Sequence, residues 1–239
     1  AMKDMDDERI QIELETMINN MIWYAGHQMG SFFRTDIPLA IYGTGIVESD
    51  PYLITGSVGQ GNWAMIPWVC IFDRKITTTA TKGIYIVYLL SKDGNSLYLS
   101  FNQGCTDIRK NNSKKDTIRI MHEKAEDIRK RIDSRGFNAD NNAKLGDGLT
   151  ELGELYQEGM IFYKEYKKGN VPGESELQND LKRMMDIYKE YVNGKAENTE
   201  IIEVKEGEEQ LSTKETLASI KNYIAAKGFT FDECLVENY

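Results

Sequence analysis

The residues of this sequence that are best suited to chemistry lie between 56 and 104, where glycines and aromatic side chains interrupt apolar runs. Gly59, Gln60, Gly61 and Asn62 form a short loop sequence, and its glycines let the backbone approach another backbone closely. Such a loop suits a nucleic-acid groove, where the Gln60 amide can hydrogen-bond to base edges.

A group of aromatic residues follows this loop and could hold a planar ring. Trp68 comes directly after Pro67, and strand alternation places Tyr85, Val87 and Leu89 on one face of a predicted strand. Aromatic stacking combined with polar contacts to the base edge is the usual chemistry of base recognition. Aromatic residues are also common in β cores, so a base pocket and a packed core are both open interpretations.

The elements that must position these residues are predicted from the pattern of apolar residues. Runs rich in β-branched and aromatic residues predict strands at Tyr52–Val58, Met65–Phe72, Gly83–Leu90, Ser96–Phe101 and Glu158–Tyr163. The KDGN sequence at 92–95 predicts a hairpin turn between two of them. We therefore predict an α+β fold, in which helices flank a twisted antiparallel sheet or a partial barrel.

Apolar residues at helical spacing predict the flanking helices at 6–30, 113–133 and Glu174–Val192. The segment 31–50 is predicted to be irregular with a short strand at Leu39–Tyr42, and 138–150 is predicted to be a loop. The acidic stretch 195–211 is predicted to be a linker. An S-x-x-E capping box at Ser212 then predicts a short helix that ends near residue 227.

Charge is distributed unevenly along the chain. The net charge of −9 divides into −6 for residues 1–55, +6 for residues 56–136 and −9 for residues 137–239. A basic middle segment allows a local anion-binding surface despite the acidic total. We predict that Lys114, Lys115 and Arg119, on the helix at 113–133, bind phosphate groups. A solvated basic helix with no ligand explains the charge equally well.

Several function classes are excluded by missing motifs. The sequence has no P-loop, no G-x-S-x-G elbow and no nuclease-like carboxylate pair, so we expect no catalytic residues and no cofactor in this chain. His27 and His122, with no C-x-x-C pair, predict no metal site. Three scattered cysteines, no signal peptide and no apolar run of membrane-spanning length predict a cytoplasmic protein with no membrane partner.

Spaced motifs at 56–104 are similar to those of a known protein family. GSVGQGNWAMIPWVCIF is followed by KGIYIVYLL and LYLSFNQG, and weaker similarity continues through YQEGMIFYKEY at 156–166, LQNDLKRMMDIYKEY at 177–191 and the segment 220–239. Three motifs occur in the order and at the spacing of that family: the G-x-G-N-aromatic loop, the I-P-W motif and the G-I/Y-Y-x-V motif. This pattern resembles the N-terminal DNA-binding domain of McrB-type, GTP-dependent restriction proteins, which act on modified DNA.

The resemblance implies a domain at 1–194 that binds double-stranded DNA and flips a modified base, methylated cytosine foremost, into a pocket. The pocket residues that it implies are Trp68, Tyr85, Leu89 and Tyr156. It also implies that 212–239 leads into an AAA+ GTPase module outside this chain. GTP and Mg²⁺ would bind to that module, which would recruit a separate nuclease subunit.

One residue departs from the family pattern, and other functions fit the same fold. Gln60 stands where the best-known members have an aromatic residue that fills the gap left by the flipped base. A glutamine can hydrogen-bond in that gap but stacks poorly, so DNA binding is expected whether or not a base is flipped. A protein-assembly domain and an RNA-binding domain are the alternatives, and salt dependence and comparison of nucleic acids separate them.

Overall fold

The fold comes from a computed structural model, which describes residues 9–20, 30–59 and 64–203. The elements are α1 (Arg9–Asn20), a π-helical turn (Phe32–Asp36), α2 (Ile37–Gly43), β1 (Tyr52–Ser57), β2 (Trp68–Asp73), β3 (Ile84–Leu90), β4 (Ser96–Gln103), α3 (Thr106–Lys110), α4 (Lys114–Arg131), α5 (Glu151–Glu158), β5 (Met160–Lys167) and α6 (Glu174–Glu203). The predicted α+β class is confirmed. The chain divides into a larger unit, 1–195, and a smaller one, 196–239.

The five strands form one open antiparallel sheet in the order β1-β2-β3-β4-β5, so the sheet prediction holds and the strands do not close into a barrel. The KDGN turn is confirmed: at its base the Ser91 amide donates to the Ser96 carbonyl at 2.8 Å. Gly94 takes a φ of 68° in that turn, a conformation that glycine adopts without steric cost.

Both faces of the sheet are covered, and β3 is buried along its whole length. Ile84, Ile86 and Tyr88 lie in the larger hydrophobic core, which also includes residues of α1, α2, α4 and α6. The alternate residues of β3 lie in a second cluster, together with residues of the loop that precedes α5. Since the two clusters divide the strand residue by residue, the predicted alternation is confirmed.

The segment 31–50 is helical where the sequence predicts an irregular stretch. The strand predicted at Leu39–Tyr42 is wrong, because these residues belong to α2, which buries Ile37 and Ile41 on one helical face. The π-helical turn before α2 lies close to β1. A Cβ on Gly56 would lie 1.9 Å from the Phe33 carbonyl oxygen, so this contact requires glycine.

The first and last predicted helices differ in length from the observed ones. Of the helix predicted at 6–30, the structure describes α1, and 21–29 lie outside the described residues. Helix α6 begins at Glu174 as predicted but continues to Glu203 instead of ending at Val192. The first part of the predicted linker, 195–203, is therefore helical. This segment contains neither glycine nor proline, the residues that disfavour a helix most strongly. The capping-box helix at Ser212 lies outside the described residues, and the domain division stays a prediction.

The middle of the chain follows the predictions except at one helix. In α4 the Ser113 hydroxyl accepts from the Asp116 amide at 3.1 Å, so Ser113 caps the helix where the sequence predicts its start. The loop at 138–150 is confirmed, but α5, which follows it, was not predicted. The strand after α5 begins two residues later than predicted and extends to Lys167. None of the helices within the described ranges combines the length and apolar character that crossing a membrane requires.

Candidate functional site

The four residues predicted to form a base pocket surround a single cavity. Trp68 comes from β2, Tyr85 and Leu89 come from β3, and Tyr156 comes from α5. The remaining lining residues are Cys70, Ala80, Val87 and Asn102. The structure therefore brings together side chains from four elements (β2, β3, β4 and α5) and from the loop before β3, up to 88 positions apart in the chain.

Strand register and one short helix build this cavity. Trp68 lies opposite Leu89 in the β2–β3 ladder, and Tyr85 lies opposite Asn102 in the β3–β4 ladder. Helix α5 brings Tyr156 over the same face of the sheet. The helix is anchored by Leu155, which is buried in a small cluster with residues of α4 and of the segment after β4.

Tyr85 forms a fixed wall of the cavity. Its side chain is 3% exposed, and its hydroxyl donates to the Ala80 carbonyl at 3.1 Å. Its ring meets the Phe72 ring edge to face, with centroids 5.3 Å apart. Burial raises the pKa of Tyr85 well above its ordinary value, so the hydroxyl stays protonated and keeps its hydrogen bond at neutral pH.

Trp68 and Tyr156 are only partly buried and form the accessible side of the cavity. Burial raises the pKa of Tyr156 to about 12, against a smaller lowering by a hydrogen bond with the Trp68 side chain. Tyr85 and Leu89 are both buried, so Trp68 and Tyr156 are the side of the cavity that solvent reaches.

The cavity is uncharged and small. None of its lining residues carries a formal charge at neutral pH, and burial raises the pKa of the Cys70 thiol well above its ordinary value. The volume open to a water-sized sphere is about 10 Å³, which suits about one water molecule. In this form Tyr85 and Leu89 pack as core residues, and the cavity would have to widen to hold a base.

The predicted DNA loop starts at the edge of the sheet where β1 ends. Gly59 has a φ of 102°, a conformation that favours glycine. Its carbonyl accepts from the Arg34 guanidinium at 3.4 Å, and the Ala64 amide donates to the Val58 carbonyl at 2.6 Å across the loop. The other predicted loop residues lie outside the described residues: Gln60, Gly61 and Asn62.

Two of the three predicted phosphate ligands already have carboxylate partners. Lys114 forms an ion pair with Glu154. Arg119 pairs with Glu123 at 2.9 Å and reaches Asp116 at 3.8 Å. Lys115 is exposed, and among the described residues no hydrogen bond or ion pair is found for it. Phosphate binding by these three residues stays a prediction.

Three glutamates on one face of α5 contact basic side chains. The sequence pattern did not predict these contacts. The pairs are Arg109–Glu151 at 2.6 Å, Lys114–Glu154 and His122–Glu158 at 2.8 Å. The spacing of the three glutamates, at i, i+3 and i+7, is the sequence signal that could have indicated this helix face. These pairs join the helix that carries Tyr156 to side chains of α3 and α4.

Arg129 lies on α4 within the basic middle segment, but its guanidinium is used in contacts that stabilise the fold. Its guanidinium donates to the carbonyl oxygens of Ile161, Asp140 and Met160 at 2.8, 2.8 and 3.0 Å. Burial lowers its pKa, although Asp140 acts in the opposite direction.

Within the described ranges, no group of three or more histidine, cysteine or acidic side chains is placed to hold a metal ion.

Comparison with known proteins identifies the family. No curated protein matches this sequence. The family model described as "MrcB-like, N-terminal domain" matches residues 12–193, a range that includes the sheet, the cavity and α5. A match over this much of the chain, together with the spaced motifs at 56–104, shows that the chain belongs to the MrcB-like N-terminal domain family, the McrB-type domain that those motifs indicate.

Proposed function

We propose that this chain is the DNA-reading module of a modification-dependent restriction system. In this proposal a flipped modified base, methylated cytosine foremost, occupies the cavity lined by Trp68, Tyr85, Leu89 and Tyr156. The observation that carries the proposal is that these four residues, singled out by motif from separate segments, surround one uncharged cavity. Membership of the McrB-like family supports DNA as the ligand.

The chemistry of the cavity favours a nucleobase over a charged ligand. A phosphate or carboxylate would lose its hydration in a cavity with no compensating charge, whereas a neutral aromatic ring would not. Stacking on an aromatic side chain is worth about 1–3 kcal/mol per base, and extruding a base costs a few kcal/mol. Two aromatic walls are therefore enough to offset extrusion, and losing one removes most of the preference.

Exposed cations beside α5 support an approach by the DNA backbone. Lys114 and Arg109 are partly exposed and paired with glutamates of α5. Exposed ion pairs contribute little to stability, so phosphate groups can replace the glutamates at small cost. Lys115 is available without such an exchange. These cations and the loop that begins at Gly59 are the proposed contacts to duplex DNA.

Catalysis and recruitment belong to other parts of the proposed system. The sequence has no P-loop and no nuclease-like carboxylate pair, so GTP hydrolysis is assigned to an AAA+ module and DNA cleavage to a nuclease subunit that this module recruits. The chain itself supplies specificity.

A binding panel tests the proposal. The chain is titrated with duplexes that carry unmodified cytosine, 5-methylcytosine, 5-hydroxymethylcytosine or N6-methyladenine at one position, and with single-stranded RNA of the same sequence. We expect the tightest binding to one modified duplex and a steep loss of affinity with salt, since phosphate contacts release counterions.

Three results would contradict the proposal in different ways. Equal binding to all duplexes would remove the modified base as the ligand. Tighter binding to RNA would favour an RNA-binding domain, because stacked single bases are the usual RNA target. The absence of binding to any nucleic acid would leave the protein-assembly function.

A further inference from the structure

Asn102 is the polar group of the cavity that the motifs did not single out. It lies on β4 and is 2% exposed, yet it lines the cavity beside Tyr85 and Tyr156. The β4–β5 register shifts between Phe101 and Asn102, so that Asn102 is paired with Met160. Such irregularities re-aim side chains and occur often beside functional sites.

Two backbone contacts hold the Asn102 amide in one orientation. Its Nδ2 donates to the Tyr156 carbonyl at 3.2 Å, and its Oδ1 accepts from the Gln103 amide at 2.7 Å. Exchanging the oxygen and nitrogen would place a donor against a donor and an acceptor against an acceptor. The fit is close, since a Cβ on Gly159 would lie 2.3 Å from Oδ1.

The fixed amide still has hydrogen-bonding capacity. An asparagine side chain offers two N–H donors and two acceptor lone pairs, and these contacts use one of each. The other polar side chains at the cavity differ from an amide: the Tyr85 hydroxyl donates to the Ala80 carbonyl, the Trp68 indole is a donor only, and the Cys70 thiol is a weak donor. Asn102 is the one amide among the lining residues, so it offers an unused donor and an unused acceptor on neighbouring atoms.

We infer that Asn102 reads the Watson–Crick edge of the base in the cavity and distinguishes cytosine-type from uracil-type edges. This inference rests on the proposed function. Cytosine presents an amino donor beside a ring-nitrogen acceptor, whereas uracil presents a carbonyl acceptor beside an N–H donor. A freely rotating amide would match both edges by turning over. An amide held by Gln103 and Tyr156 matches one order of donor and acceptor.

Four target bases test the inference because they separate the edge from the methyl group. 5-Methylcytosine and thymine share the ring and the 5-methyl group and differ at the Watson–Crick edge; cytosine and uracil form the same pair without the methyl. Each base is placed in an otherwise identical duplex opposite an abasic site, so that no base pair must be broken. Dissociation constants then give an edge ratio, thymine over 5-methylcytosine, and a methyl ratio, cytosine over 5-methylcytosine.

We expect the parent chain to bind the cytosine-type base about tenfold more tightly than the matching uracil-type base, since a mismatched edge leaves the buried amide unpaired. Asn102→Ala should bring the edge ratio close to one and leave the methyl ratio unchanged. Leu89→Ala should reduce the methyl ratio and leave the edge ratio unchanged. A role of Asn102 in positioning Tyr156 alone would weaken all four duplexes equally.

Ser100→Ala is the matched control. Ser100 lies two residues away on β4, and its buried hydroxyl has no hydrogen-bond partner, so removing that hydroxyl should change neither ratio. Asn102→Ser provides a second variant if Asn102→Ala fails to fold. The edge ratio of the parent chain tests the inference without any substitution.

The possible outcomes separate the inference from the proposed function. An edge ratio of one in the parent, or an unchanged edge ratio in folded Asn102→Ala or Asn102→Ser, overturns the inference. If the methyl ratio stays above one in that case, the base cavity stands and only the role of Asn102 is wrong. If both ratios are one in the parent, the base cavity fails and the inference fails with it.

Discussion

At the scale of single residues, the partly exposed aromatic residues of the cavity are the best probes of its function. Trp68 is only partly buried, whereas Tyr85 and Leu89 are 3% and 2% exposed and contribute to a hydrophobic cluster. Replacing a fully buried large side chain with alanine typically costs about 2–5 kcal/mol of stability. Effects on binding and on folding are therefore easier to separate at Trp68.

We expect Trp68→Ala to weaken binding of the preferred modified duplex by about 1–3 kcal/mol, the worth of one stacking contact. Trp68→Phe, which keeps an aromatic face, should retain most of the affinity. Fluorescence anisotropy titrations measure binding, and thermal melts confirm that both variants are folded. A folded Trp68→Ala chain that binds as tightly as the parent would show that the indole is not a wall of the base site.

A second residue-scale prediction concerns Arg129, whose charge belongs to the fold. Arg129→Lys keeps the charge but loses the planar group that donates to three carbonyl oxygens, so we expect the free energy of unfolding to fall by about 2 kcal/mol. Lys130→Ala, at the exposed neighbouring position, is the control and should change stability little. Chemical denaturation measures both variants, and equal stability of Arg129→Lys and the parent would contradict this assignment.

At the scale of secondary-structure elements, the proposed function makes the glutamates of α5 and the DNA backbone competitors for Arg109 and Lys114. Hydrogen bonding by Arg109 lowers the pKa of Glu151, so this carboxylate stays charged and paired at neutral pH. Lys114 is paired in the same way with Glu154. If phosphate groups replace these carboxylates, the acidic face of α5 limits affinity for every duplex alike.

We therefore expect the double variant Glu151→Gln and Glu154→Gln to bind all duplexes more tightly, with a salt slope steeper by roughly one unit for each cation that it releases. The preference for the modified base should not change, because neither glutamate lines the cavity. Anisotropy titrations at several salt concentrations give the slope.

The matched control changes the same net charge elsewhere. Glu176 and Glu190 lie on α6 and pair with Lys164 and Arg135, so Glu176→Gln with Glu190→Gln tests general electrostatics. Equal gains in the two double variants would mean that overall charge, and not release of Arg109 and Lys114, controls affinity.

How far the sequence predicts these elements depends on whether local pattern or distant contacts decide their structure. The strands follow from runs of β-branched and aromatic residues, and the alternation in β3 places Tyr85 and Leu89 on the correct face. Helix α2 could not be predicted from the pattern, because the short apolar run IPLAIYG is compatible with a strand and with a buried helix. Helix α5 is eight residues long, too short to be stable alone, and the buried Leu155 holds it in place.

The candidate site was predictable to the same extent. The four pocket residues could be named from motifs that resemble a known family, and the structure places them around one cavity. Asn102 carries no local signal, since its contact with Tyr156 spans 54 positions and depends on a register shift in the sheet. The carboxylate partners of Arg109 and Lys114 are also 40 or more positions away, so the basic stretch looks more available to phosphate in the sequence than it is in the fold.

At the scale of the whole molecule, many tyrosines lie in the two hydrophobic layers that cover the faces of the sheet. Burial is the main cause of a raised pKa at nine described tyrosines: Tyr52, Tyr85, Tyr88, Tyr98, Tyr156, Tyr163, Tyr166, Tyr188 and Tyr191. The pKa is about 12 at Tyr98, Tyr156 and Tyr191. The ordinary value is about 10.

These raised pKa values predict that the protein unfolds in alkali through tyrosine ionisation. Above about pH 10 the unfolded chain releases phenolic protons that the folded chain retains. The stability linked to these groups is therefore fully present below pH 10 and is lost as pH rises toward the folded-state values. Because several tyrosines share this behaviour, the loss should be steep.

The measurement follows tyrosinate absorbance and circular dichroism together as pH is raised. We expect most of the tyrosinate signal to appear in step with the loss of secondary structure, whereas in concentrated urea the tyrosines should titrate near pH 10. If the buried tyrosines of the folded chain ionise near pH 10 while the circular dichroism is unchanged, both faces of the sheet are open to solvent. Tyr85 and Tyr156 would then already be accessible without any movement of α5.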